Sequence, residues 1–89
     1  MRRNYDDADY KKARGRARRR DRRTCQMPGC GCRKRLQVHH IIPYSQRPDL
    51  RDDLSNLITL CYPCHKEVTG SEAFYESLFM GIIKEKKRR

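Results

Sequence analysis

The sequence predicts a small α+β domain, stapled by a metal ion and flanked by helices. Three observations carry this. The chain has 89 residues, of which only 36% are hydrophobic. That length makes one small domain, and so little apolar surface calls for a metal or disulfide staple. Five cysteines fall in two clusters, Cys25/Cys30/Cys32 and Cys61/Cys64. Around and after those clusters, two short β-rich runs give way to helical spacing.

The elements follow in chain order. Residues 4–23 can form a helix, because Asp6, Asp7 and Asp9 precede a basic run, the order that complements a helix dipole. Its apolar stripe is thin (Tyr10, Ala13, Ala17, with Gly15 inside it), so it is expected to be marginal alone and to order only on DNA. Cys25 to Cys32 contains Pro28-Gly29 and Gly31 and reads as a tight turn. Leu36 to Ile42 is β-rich and ends at Pro43, which predicts a strand. Residues 43–53 form a polar loop with two prolines, and Leu57 to Leu60 a second strand. Tyr62 to about Val68 is expected to be a helix ended by Gly70. Ser71 then caps a last helix whose Phe74, Tyr75, Leu78, Phe79, Ile82 and Ile83 recur at helical spacing and read as core. No internal repeat is visible.

The charge is unevenly placed. Residues 1–23 hold eleven Lys/Arg against four Asp, residues 84–89 hold five against one Glu, and residues 24–83 hold six of each sign. The whole excess of +11 therefore sits on two arms that flank a neutral core. Arms of this kind suit a polyanion, since Lys and Arg that pair with phosphates release counterions; the plainer alternative is a solvated tail. The chain divides accordingly into a basic N-terminal arm (1–23, helix-competent), a core (24–70), and a C-terminal amphipathic helix with a basic tail (71–89). No apolar run is long enough to cross a bilayer, and the basic N-terminus lacks the apolar segment of a signal peptide. A cytosolic, reducing setting is expected, in which five cysteines read as four metal ligands and one spare thiol rather than as disulfides.

Structural zinc takes four tetrahedral ligands, usually as two close pairs on separate turns. Cys61-x-x-Cys64 is one such pair, and Cys25 with Cys30 is the preferred second. Cys32 is the rival of Cys30, because a Cys-x-Cys pair fits one tetrahedral ion poorly and one of the two must be spare. Cys61-x-x-Cys64-His65 also matches the attachment pattern of c-type haem, but that needs export and an apolar pocket, and nothing here provides either. All three histidines belong to the same region. His39 and His40 are adjacent, so in a strand their side chains diverge, one free to bind a metal and the other to reach a water molecule. His65 follows Cys64 on a helix that the zinc would anchor.

These motifs together, Val38-His39-His40-Ile41-Ile42-Pro43 and Asn56-Leu57-Ile58-Thr59-Leu60-Cys61-x-x-Cys64-His65, resemble the HNH endonuclease family over roughly residues 24–70. The resemblance implies a ββα-metal (His-Me finger) fold and hydrolysis of DNA phosphodiester bonds. It assigns His40 as the general base that deprotonates water, and His39 and His65 as ligands of a catalytic divalent ion. It assigns Asn56 to orient the loop and hold His40 in its productive direction and tautomer. Relatives often have a further metal or phosphate contact near the position of Thr69, where threonine is a weak ligand and water can stand in. The ion expected is magnesium, manganese, nickel or zinc, and the products a 5′ phosphate and a 3′ hydroxyl. The small, basic layout is similar to HNH nucleases of bacteriophages and prophages. By analogy that points to the cytoplasm of a bacterial host, and to a protein partner such as a phage terminase.

Plainer alternatives exist for each residue. His39 can be an outward strand histidine, His65 a helix cap or zinc ligand, and Asn56 a turn former. Arg33, Arg47 and Arg51 either touch phosphates or form a solvated face. Two competing functions are a non-catalytic zinc-knuckle DNA-binding module and a nuclease subunit that needs a partner. His40, Asn56 and His65 argue against the first, because a pure binder needs only the cysteines.

Overall fold

A computed structural model describes residues 8–43 and 45–87 of the chain. The first element, α1 (Ala8–Arg20), carries Asp9 in its first turn and Arg18, Arg19 and Arg20 in its last, both favourable to the helix dipole. Residues 4–7 of the expected helix lie outside the described residues. The expectation that this helix orders only on DNA is corrected, because it packs on the protein's own sheet: Tyr10, Ala13 and Ala17 are buried, and the two alanines lie against Leu57 and Val38. Small side chains at the contact let the helix backbone come close to the sheet, so a thin stripe suffices once a partner surface exists.

Polar bonds at the end of α1 lock that docking. Arg20 forks onto Asp21 at 2.8 and 3.0 Å and donates to the carbonyl of Leu54 at 2.7 Å and to that of Leu57. Asp21, whose side chain is wholly buried, accepts the backbone N–H of Thr59 at 3.0 Å and lies 3.7 Å from the Lys86 ammonium. One carboxylate thus joins the N-terminal helix, the sheet and the C-terminal helix.

The sheet has two antiparallel strands, β1 (Leu36–His40) and β2 (Leu57–Cys61), in register from Leu36 opposite Cys61 to His40 opposite Leu57. All five residues of β2 are buried, as expected of an apolar run covered on both faces. Leu57 and Val38 face α1. Ile58 and Leu60 enter a larger cluster with Ile41, Val68, Phe79 and Ile83.

Two helices cover that second face. α2 (Tyr62–Val68) starts directly after β2 with Pro63 in its first turn, and Gly70, at φ 90°, turns the chain out of it. α3 (Glu72–Lys87) follows, with the Ser71 carbonyl accepting from the backbone of Phe74 and Tyr75. Here one expectation is corrected. Phe79 and Ile83 are core, but Phe74 is 80% and Leu78 42% exposed. The apolar arc of α3 is wider than the surface it packs on, and these two residues, one turn apart, sit on its uncovered side.

Candidate functional site

The two cysteine clusters meet. The sulfurs of Cys25, Cys30, Cys61 and Cys64 all lie within 4.8 Å of one another, with Cys30 and Cys61 3.7 Å apart. Cys61 caps α2 at the end of β2, and Cys64 lies one turn on. The other turn needs its glycines: Gly29 and Gly31 take φ of 83° and 68°, where no Cβ is tolerated cheaply. The Cys25 N–H bonds to the Cys32 carbonyl at 2.7 Å and closes the loop. Cys32 itself points elsewhere, its sulfur 3.6 Å from the Lys34 carbonyl.

Such a cluster cannot ionise fully without a cation. Burial pushes the Cys25 thiol up, and burial together with the neighbouring sulfurs pushes Cys64 up further. Cys61 is drawn down to about 7, chiefly by the backbone N–H of Cys64. A bound dication would make all four thiolates, and four sulfurs in one small volume can hold a metal such as zinc.

The adjacent histidines diverge as strand alternation requires. His39 is buried on the α3 side, its ring edge-on to His65 at 5.4 Å and to Phe79 at 6.0 Å between centroids. Its Nε2 is buried with no hydrogen-bond partner among the described residues. Burial first, then the neighbouring His65, holds the imidazole down at about 4, with Glu72 opposing. A buried imidazole nitrogen kept neutral and unpartnered is a ready lone pair for a cation, and His65, half-buried on α2, offers a second.

His40 lies on the other face, the last residue of β1. Its Nε2 is 3.2 Å from the Arg51 carbonyl. A carbonyl only accepts, so this contact puts the proton on Nε2 and leaves the lone pair on Nδ1. Burial lowers its pKa, partly offset by that carbonyl. The ring stacks on Tyr10 of α1, with centroids 5.4 Å apart and planes 8° from parallel.

Asn56 is buried directly before β2 and clamps the chain beyond His40. Its Oδ1 accepts from the Ile42 N–H at 2.8 Å, and its Nδ2 donates to the Ile42 carbonyl at 3.1 Å and the Leu50 carbonyl at 3.5 Å. Its bonds therefore hold the loop, while the contact on the His40 ring comes from Arg51. The Thr69 hydroxyl donates to the His65 carbonyl at 2.8 Å. The acid that acts on the His39/His65 pair is Glu72 at the head of α3, which accepts from the Gly70 N–H at 3.2 Å. Backbone N–H groups lower the pKa of Glu72 first, and both imidazoles lower it further. Sequence reading missed Glu72, Tyr10 and the Arg51 carbonyl. The first passes for an ordinary helix-start acid and the second for a stripe residue, and a backbone carbonyl carries no residue signal.

A two-stranded antiparallel sheet leading into a helix, with histidines on both and a thiol cluster at the junction, is the ββα-metal finger. The family model of the HNH endonucleases matches residues 25–71, just over half the chain, and the protein belongs to that family. Nuclease activity is what the family typically carries. No curated protein matches the chain, and no solved structure does. No helix among the described residues is long and apolar enough to cross a membrane.

Proposed function

We propose that this protein is a metal-dependent DNA endonuclease in which His40 is the general base. The observation that carries the reading is the pair of differently prepared imidazoles at the end of β1. His39 has a buried Nε2 with no hydrogen-bond partner among the described residues, whereas the Nε2 of His40 faces the Arg51 carbonyl and frees Nδ1. In-line displacement at phosphorus sets the attacking oxygen and the leaving oxygen on opposite sides. Two adjacent side chains that diverge around a strand end suit a phosphodiester lying across that end.

In this reading Nδ1 of His40 takes a proton from water, and the hydroxide attacks phosphorus. The bond to the 3′ oxygen breaks, and that oxygen takes a proton from solvent water, giving a 5′ phosphate and a 3′ hydroxyl. Its lowered pKa keeps His40 neutral, and so competent as a base, at neutral pH. Asn56 holds the loop that carries Arg51 and thus the orientation of His40. His39 and His65 are the residues that would hold a divalent ion, whose chemistry is to stabilise the charge developing on the phosphate and the leaving oxygen. Imidazole ligation suits nickel or zinc, whereas magnesium or manganese would draw most of its ligands from phosphate and water oxygens. Cys25, Cys30, Cys61 and Cys64 would hold a structural zinc that fixes α2, and His65 with it.

DNA contact falls to the basic segments. Lys11, Lys12, Arg16 and Arg19 are exposed along the outer face of α1, where with Gly15 they line an open groove. Such contacts position the duplex and do not read its sequence. The test is plasmid nicking with magnesium, manganese or nickel, then resealing by a DNA ligase that requires 5′-phosphate and 3′-hydroxyl ends. Metal-dependent nicks that reseal are expected. DNA binding without cleavage under any of the metals would instead point to a zinc-knuckle binding module.

A further inference from the structure

We propose that α1 is a working part of the catalytic site, and that Tyr10 is a positioning residue holding the imidazole of His40. This rests on the reading of His40 as the general base. Among the described residues two contacts hold the His40 ring: its Nε2 edge faces the Arg51 carbonyl at 3.2 Å, and its plane is stacked parallel to the Tyr10 ring. Tyr10 is only 5% exposed and is itself gripped, with the Arg14 guanidinium 4.8 Å and the Arg51 guanidinium 5.9 Å from its centroid. The contacts form a closed circuit from Tyr10 to His40 to Arg51 and back.

The circuit matters because an edge contact alone leaves the imidazole free to rock about the axis through Nε2. The stacked face removes that freedom and fixes where the Nδ1 lone pair points. A base must be aimed to within a fraction of an ångström, so losing the stack should cost rate and not affinity. The docking of α1 has other anchors besides Tyr10. Ala13 and Ala17 already dock the helix on Leu57, and the Arg20–Asp21 pair anchors its end.

The experiment uses the full-length protein with Tyr10→Phe, which keeps the ring face, and Tyr10→Leu, which keeps an apolar side chain without it. Tyr10→Met replaces the latter should the leucine chain fail to fold. Tyr10→Phe is expected to nick within about twofold of wild type. In Tyr10→Leu, kcat falls on the order of tenfold, with KM for plasmid within about twofold. An unchanged kcat in Tyr10→Leu, or a Tyr10→Phe as slow as Tyr10→Leu, overturns the proposal.

A second readout does not depend on activity. The Cε1 proton of His40, assigned by its absence in His40→Ala, should lie within the ring current of the stacked Tyr10, and so shift in Tyr10→Leu and stay in Tyr10→Phe. If the wild type does not cut DNA and this shift is observed, the nuclease reading fails while the positioning contact stands. If the resonance does not move in Tyr10→Leu, the contact is refuted.

Discussion

Replacing Asp21 by alanine should destabilise the protein by about 3 kcal/mol. The carboxylate accepts two bonds from Arg20 and one from the Thr59 N–H, and has Lys86 at 3.7 Å. Its loss leaves the buried N–H of Thr59 unpaired, at a cost of roughly 1–3 kcal/mol. It also strands the Arg20 guanidinium, and breaking a buried pair costs about 3–5 kcal/mol when the remaining charge is fully enclosed. Arg20 is not fully enclosed: its side chain is 18% exposed and keeps the Leu54 and Leu57 carbonyls. That discounts the second cost to a fraction of its upper value, and about 3 kcal/mol remains. For a domain of this size that is a fall in Tm of roughly 12–24 °C. Asp21→Asn, which keeps an acceptor for Thr59 but removes the charge, should lie about midway. Urea and thermal unfolding followed by circular dichroism measure both. A loss below about 1 kcal/mol for Asp21→Ala would refute the claim that this carboxylate joins α1, β2 and α3.

Further outcomes follow from the same geometry. Cys30→Ser should lower bound zinc and unfold the domain, whereas Cys32→Ser should keep full zinc content and wild-type Tm, both read by metal analysis of purified variants. Nicking should hold its rate below the ordinary histidine range, because burial lowers the pKa of His40 and only its neutral form is the base; a pH profile with its acid limb above about 6.5 would contradict this. In protein that keeps the metal at its four cysteines but has no ion at His39 and His65, the stability that neutral His39 contributes should be complete above about pH 6.5. It should fall as pH drops toward 4, since the unfolded chain protonates His39 first. For a group held at about 4 the loss is roughly 3 kcal/mol, and denaturant curves flat across that window would contradict it. DNA affinity should fall steeply with salt: about six phosphate contacts give a slope of log affinity against log salt near −5, and a slope near zero would remove the basic segments from the DNA.

The parts of the site that were legible in the sequence are those encoded by spacing. Cys61-x-x-Cys64-His65 fixes its own local geometry, because a strand end runs directly into a helix there. The His39–His40 divergence follows from strand alternation alone. What could not be read depends on contacts between distant segments. Tyr10 meets His40 only because α1 folds back over the sheet, so neither end of the chain announces the contact. Asp21 reads as one acid in a basic run and proves to be the buried centre of a network, because its partners Thr59 and Lys86 are far away in sequence. The exposure of Phe74 and Leu78 shows the converse limit: helical spacing marks an apolar arc but not how much of it finds a partner.

Plasmid nicking by His40→Ala beside the wild type, with DNA binding and zinc content measured on the same samples, decides whether His40 is the base. Cleavage should fall about a hundredfold or more, with binding and zinc content unchanged. Undiminished cleavage by His40→Ala would contradict the assignment of the base.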